Sequence, residues 1–355
     1  MTDSIVKPLP AEHFIRHETN AEARLDTLPL DGYTTPNELF FVRNNSATPQ
    51  IDVQNWRLSI TGAGVARPYS LSYEELLSLP PQTVTCFLEC AGNGRSLYDE
   101  LLDRPSAGTP WKLGAFGVAE WRGVALFDLL KRAGIKPSAV DVLVSGLDMP
   151  PIERPIPVAA ALAANTLIAT HMNGETLPLD HGFPARLIVP GWIGMANIKW
   201  VGSITVAEER VYVEKNTTDY ILLGPDYPAE PPALGARLDR LVVKSVLFLP
   251  WPGTLVAGRQ TVQGYAWSPN GAIAQVDVSL DGGQSFTPAR LVGPNLPQAG
   301  TRWEYAFDAH PGEMTITTRA TDEQGDRQPP LEELVWNELG YLFGAMIPHP
   351  IRVMG

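Results

Sequence analysis

Phe87-Leu88-Glu89-Cys90-Ala91-Gly92-Asn93-Gly94-Arg95 ends an apolar, strand-like run on a cysteine, then turns through small residues to an arginine. Nothing in an ordinary core strand requires the Ala91-Gly92-Asn93-Gly94 turn. Arg95 supplies a cation that favours thiolate over thiol. Two descriptions of Cys90 therefore stand side by side: a buried structural cysteine, or a thiolate offered as nucleophile or soft metal ligand. Cys86, within the strand, reads as core.

Working outward, the surrounding chain mixes helix and strand signals without regular βαβ alternation, which predicts an α+β domain. Residues 1–30 read as a polar arm with a short helix over 21–25. Leu39-Phe40-Phe41-Val42-Arg43 reads as an apolar strand that Asn44-Asn45 ends, and residues 56–60 alternate as a strand. Ser72 with Glu75 three residues on forms a capping box. Residues 126–133 have helical spacing and stop at Gly134. Val142-Leu143-Val144 and Arg186-Leu187-Ile188-Val189 are short buried strands.

Four prolines, Pro225, Pro228, Pro231 and Pro232, mark residues 224–236 as a linker. The expected division is an arm over 1–30, a first domain over 31–230 and a second over 238–355. In the last third, Val276, Val278 and Leu280 alternate into Asp281-Gly282, a hairpin turn. Trp303, Tyr305 and Phe307 alternate likewise, as do Met314 and Ile316, which predicts an immunoglobulin-like β-sandwich.

Composition narrows the partners. The chain has 355 residues and a net charge of −12, which argues against a nucleic-acid partner but not against a small anion drawn to a few focused arginines. No run approaches the roughly 20 apolar residues of a membrane helix. The N-terminus lacks a signal pattern, so the chain is expected in the cytoplasm, or in the periplasm had a signal been removed. Cys86 and Cys90 would lie roughly 13 Å apart on a strand and form no disulfide. His13 and His17 have ligand-like spacing, but without a CxxC or a nearby cysteine no zinc site is expected.

Residues 179–200 carry His181, Arg186 and Lys199 around apolar strands and glycines, a pattern suited to a phosphate-bearing cofactor or to solvated strand ends alike. No GxxxxGK[ST] or GxGxxG is present. Taken alone, Arg43 reads as a solvated strand end and Asp148 as an ordinary loop acid.

Phe41-Val42-Arg43-Asn44, Glu89-Cys90-Ala91-Gly92-Asn93, His181-Gly182-Phe183-Pro184 and Ile198-Lys199-Trp200, in that order, resemble the sulfite oxidase family of molybdenum enzymes. So does Gly264-Tyr265-Ala266-Trp267-Ser268 followed by residues 276–283. The resemblance implies an α+β molybdopterin-binding domain followed by a β-sandwich through which members dimerise. It implies that Cys90 is the molybdenum ligand, that Phe41, Arg43, Asn44, Asp148, His181, Arg186, Asn197, Ile198 and Lys199 hold the pterin, and that Arg43, Arg95, Trp111 and Tyr220 face the substrate. The implied reaction is two-electron oxygen-atom transfer, with sulfite leaving as sulfate and an external acceptor such as a cytochrome taking the electrons. The expected form is a haem-free, bacterial-type homodimer.

Two departures bear on the substrate. Gly94 stands where many members have an arginine, and Leu339 replaces an arginine that in animal and plant members reaches the pocket. Sulfite therefore competes with another oxyanion or an S-oxide, handled in either direction. Outside this class, a cysteine hydrolase using Cys90 and His181, and a binding module without catalysis, are the alternatives.

Overall fold

The computed structural model describes residues 4–355. Among them the first domain holds two five-stranded sheets with short helices at their edges. One sheet runs Glu175–Thr176, Leu167–Met172, Phe116–Ala125 and Gln82–Glu89, with Arg186–Ile188 paired to Leu167–Met172. The other runs Tyr69–Ser72, Arg57–Thr61, Val201–Ala207, Asp141–Gly146 and Glu153–Pro157, and contains one parallel pair, Val201–Ala207 with Arg57–Thr61. The architecture is α+β. A continuous apolar core that includes Leu58, Ile60, Leu126, Val144, Leu187 and Ile204 lies between these elements.

Local chemistry explains most boundaries. Ser72 caps helix Tyr73–Leu77 by accepting from Glu75 N, and Glu75 returns a carboxylate oxygen to Ser72 N. Helix Leu126–Ala133 ends on Gly134 at φ +66°, where a left-handed residue lets the chain leave the helix. Helix Arg95–Leu102 begins directly after the cysteine turn. Its N-cap is Gly94 at φ +93°, and a Cβ there would lie 2.9 Å from the Phe343 side chain. Backbone and packing together therefore favour glycine at position 94.

Two local expectations fail. Residues 21–25 contain no α-helix: Asn20–Ala23 is a strand, paired with Phe14–His17 and bridged through Ala21 to Val42. Tertiary pairing overrides helix propensity because Glu22, fully buried, accepts from Lys112 N and Gly114 N at 3.0 Å and meets His17 Nε2 at 2.8 Å. Residues 39–43 do not make a strand either. Leu39 N and Phe40 N fold back onto Pro36 O as a turn, and only Val42 makes a bridge. Their apolar side chains signal burial without specifying extension.

Ile221–Leu222 pairs with Ala236–Arg237, so the proline-rich run between them is a loop closed by its own two ends. Beyond it lies a β-sandwich. One sheet is Lys244–Leu247, Gly258–Trp267, Gly300–Ala309 and Arg290–Leu296 in spatial order. The other is Gly253–Val256, His349–Met354, Gly312–Asp322, Ile273–Ser279 and Thr287–Pro288. Trp303, Val276, Val278 and Ile316 fill the space between the sheets. The two domains meet where Trp267 stacks on Phe116 at 3.8 Å, a contact worth about 1 kcal/mol beyond its buried area. No helix of the described residues is long and apolar enough to cross a membrane.

Candidate functional site

The residues gathered at the site sit at the ends of elements, where the chain leaves the sheets and side chains turn inward. Cys90 follows strand Gln82–Glu89, Asp148 follows Asp141–Gly146, and His181 ends the turn Leu179–His181. Arg186 opens its strand, Lys199 precedes Val201–Ala207, and Tyr220 precedes Ile221–Leu222. With Phe41, Arg43, Asn44, Asn197 and Ile198 they line one cavity holding about 660 Å³ of space free of protein atoms, open solvent at its mouth included.

Cys90 is buried and free, as is Cys86. They differ in surroundings. Cys86 is sealed in the strand, where burial pushes its thiol up to about 12. Cys90 faces the cavity, with its turn closed by Asn93 N donating to Cys90 O at 2.9 Å.

The same cavity gathers several cationic side chains. Arg43 Nη2 donates to Tyr220 Oη at 2.9 Å, while Arg43 Nη1 is buried without a partner. Burial opposes the charge on Arg43, yet Tyr220, Cys90 and Tyr341 together hold its guanidinium above its ordinary value. Arg186 Nη1 donates to His181 O at 3.2 Å, its Nε has no partner, and its guanidinium lies 5.2 Å from the Trp121 ring centroid. Burial presses Arg186 down to about 9. Lys199 Nζ donates to Asp180 O at 2.9 Å and to Asn44 Oδ1. Burial first, then Arg186, lowers Lys199 well below its usual value, and burial with Lys7, Arg186 and Lys199 does the same to His181. Cations crowded in a buried cavity with unused donors are costly unless an anion shares the space.

The backbone is strained at this cavity. Tyr220 and Trp200 adopt φ of +51° and +52°, which costs a bulky residue about 1–3 kcal/mol each and marks a site held in place by its surroundings. Tyr220 stacks on Tyr341 at 5.4 Å, and the guanidinium of Arg95 lies 5.1 Å from the Tyr341 ring.

Not every residue named from the sequence reaches the cavity. Arg95 turns two of its guanidinium nitrogens to the backbone, Nε to Leu339 O and Nη1 to Thr109 O, both at 2.9 Å. Trp111 is buried in the apolar cluster of Phe40, Phe41 and Cys90, edge-on to His17 at 5.3 Å. Neither lines the cavity. Asn197 does, but its amide is occupied by Val189 N at 2.7 Å and Ile193 O at 3.1 Å, which leaves its backbone to meet a ligand.

Other residues carried no sequence signal. Asp180, beside His181, accepts from Val6 N at 3.0 Å and from Lys7 N at 2.7 Å, and thereby ties the N-terminal arm to the cavity wall. Lys7 Nζ caps the carbonyls of Asn37, Glu38 and Phe40. Tyr341 adds the aromatic ring beneath Arg95.

A phosphate-bearing pterin fits this donor set. Arg186 Nε and Arg43 Nη1 have no acceptor within the protein, Lys199 and His181 are suited to a negative charge, and Cys90 offers a soft sulfur to a metal in the same cavity.

Comparison with known proteins agrees with the geometry. Residues 45–213 match the oxidoreductase molybdopterin binding domain, and residues 237–347 match the Mo-co oxidoreductase dimerisation domain. The chain is 37% identical over 345 residues to sulfite oxidase of Gallus gallus, covering 92% of this chain and 74% of that protein. It is 36% identical to mitochondrial sulfite oxidase of Mus musculus, covering 92% of this chain and spanning 62% of the relative's length. NADH nitrate reductase of Ulva prolifera is 30% identical, with 92% and 41% covered. Among solved structures, the sulfane dehydrogenase SoxCD from Paracoccus pantotrophus superposes with a TM-score of 0.86 at 30% identity, covering 98% of this chain and 93% of that one.

Proposed function

The chain belongs to the sulfite oxidase family of molybdopterin-dependent oxidoreductases, and on that premise we propose that it oxidises sulfite to sulfate and passes the electrons to an external acceptor such as a cytochrome. One observation carries the proposal: Cys90 shares a cavity with an unpartnered Arg43 Nη1 and the Tyr220 hydroxyl.

When bound, the molybdenum cofactor supplies the two-electron redox change and the exchangeable oxygen atom. The contacts support the following part for the protein's own residues. Cys90 would provide the thiolate ligand. Arg186, Lys199 and His181 would hold the pterin's phosphate, and Asp148, with Oδ1 accepting from Ile152 N at 3.0 Å, would offer its other oxygen to the pterin ring. Arg43 Nη1 receives one oxygen of the substrate anion. Because Tyr220 Oη already accepts from Arg43, its own hydrogen is free to donate to a second oxygen. Arg95 acts one layer back by clamping the Leu339 and Thr109 carbonyls. Two chains pair through the β-sandwich, as the description of that domain suggests.

A second substrate class has its own support. With Arg95 Nε and Nη1 committed to backbone carbonyls and an apolar Leu339 beside it, that side of the pocket offers fewer free donors to a dianion. A sulfur substrate of lower charge, such as an S-oxide or a sulfane, fits that balance.

Elemental analysis of protein from a pterin-competent host, followed by steady-state assays with sulfite, S-oxides and nitrate, tests both. Absence of molybdenum would remove the first proposal and the second together. A preference for a neutral sulfur compound over sulfite would favour the second.

A further inference from the structure

Glu89, the residue before Cys90, is 1% exposed and ends its strand inside the molecule. Its Oε1 accepts from Lys244 Nζ at 2.6 Å and from Asn93 Nδ2 at 3.0 Å. Its Oε2 accepts from Trp267 Nε1 at 2.8 Å. Lys244 also donates to Asn93 O at 3.3 Å, and Asn93 Oδ1 accepts from Ala115 N at 3.1 Å. Lys244 and Trp267 stand opposite each other on adjacent strands of the β-sandwich. Both flanks of the Cys90 turn are therefore held by side chains of the other domain.

Desolvating two charges is expensive, and an apolar pair of similar size would stabilise the fold as well or better. A buried ion pair in that position is best accounted for by direction: it fixes where neighbouring atoms point. Glu89 and Asn93 bracket Cys90 at one residue before and three after, so anchoring both sets the path of the backbone between them.

We propose that Lys244 and Trp267 are positioning residues that aim the Cys90 sulfur into the cavity, so that the β-sandwich of each chain governs the ligand geometry of its own cofactor site. The molybdenum side of this inference rests on the function proposed above; the coupling of Lys244 to Cys90 does not.

The test uses full-length Glu89→Gln/Lys244→Met, which removes both charges together, and Trp267→Phe, which removes one donor and keeps the ring stacked on Phe116. In protein from a host without pterin synthesis, Cys90 alkylation by iodoacetamide is followed by peptide mass spectrometry, with sealed Cys86 as internal reference. Both variants are expected to alkylate about tenfold more slowly than the parent, because a sulfur that no longer points into the cavity is less accessible to the reagent. In loaded protein the thiolate-to-metal absorption band shifts, and kcat falls roughly a hundredfold while KM stays near the parent value. Unchanged alkylation in both variants overturns the inference, whatever happens to unfolding temperature. A parent protein that binds no molybdenum ends the function proposal, while the alkylation result still decides the positioning.

Discussion

Arg43 Nη2 donates to the hydroxyl of Tyr220 at 2.9 Å, joining residues 177 positions apart in the chain. The pair leaves one guanidinium donor and one phenolic hydrogen free at the same cavity, and Tyr220 holds a left-handed backbone to make it. Removing the hydroxyl in Tyr220→Phe is expected to lower kcat/KM by about 10²-fold, the scale of one lost transition-state donor. Molybdenum content should stay at the parent level; a fall in metal content instead would make Tyr220 a cofactor residue.

Cys90→Ser keeps the size and removes the soft ligand. Activity should fall below detection, and the thiolate-to-metal absorption should vanish. Cys86→Ser, in the sealed strand, should retain both. Full activity in the Cys90 variant would take that residue out of the metal's coordination.

The buried cations predict a pH dependence with a definite sign. Arg186 lies at about 9 against an ordinary 12.5, and Lys199 lies well below 10.5. Where folded values are lowered, the unfolded chain binds more protons, so these groups add stability to the cofactor-free protein as pH rises toward 10.5 and withdraw it as pH falls through the folded values. An anion restores the charged forms and takes up protons as it binds. Inorganic phosphate should therefore raise the unfolding temperature of cofactor-free protein more at pH 7 than at pH 9.5. An equal or larger increment at pH 9.5 would refute a phosphate site built on Lys199 and Arg186.

Leu339→Arg returns a cation beside Arg95. It is expected to lower the sulfite KM by about tenfold, equivalent to ~1.4 kcal/mol. An unchanged KM would show that position 339 does not act on the substrate anion.

Glu22 carries a prediction about stability alone. Glu22→Ala leaves the amides of Lys112 and Gly114 without their acceptor inside the protein. The cost should be about 3 kcal/mol, read as a lower denaturant midpoint for the first domain. A midpoint within error of the parent would mean that water replaces the carboxylate.

The chain's own residues revealed much of the site because the cavity is lined by short motifs whose members are close in sequence. Phe41, Arg43 and Asn44 lie within four residues, and Asn197, Ile198 and Lys199 are consecutive. All line the cavity with Cys90, Asp148, His181, Arg186 and Tyr220. Local signals also located the capping box at Ser72, the helix stop at Gly134 and the alternating sandwich strands. They misplaced residues 21–25, where a helix-forming composition yields to a strand demanded by Val42 and by the buried Glu22.

Sequence by itself determined the α+β and sandwich architecture, the family and the set of side chains available to a cofactor, because residue type and short spacing carry those properties. Tertiary structure alone decided what each side chain has left to offer. Arg95 and Arg43 look alike along the chain, yet packing turns Nε and Nη1 of one to Leu339 and Thr109 away from the cavity lining and leaves the other a free donor at the cavity. Glu89 looks like part of a motif, and only the folded chain brings Lys244 to it from 155 residues away. Such partners are chosen by which surfaces become buried together. A buried polar atom must be paired there, and spacing along the chain does not record with whom.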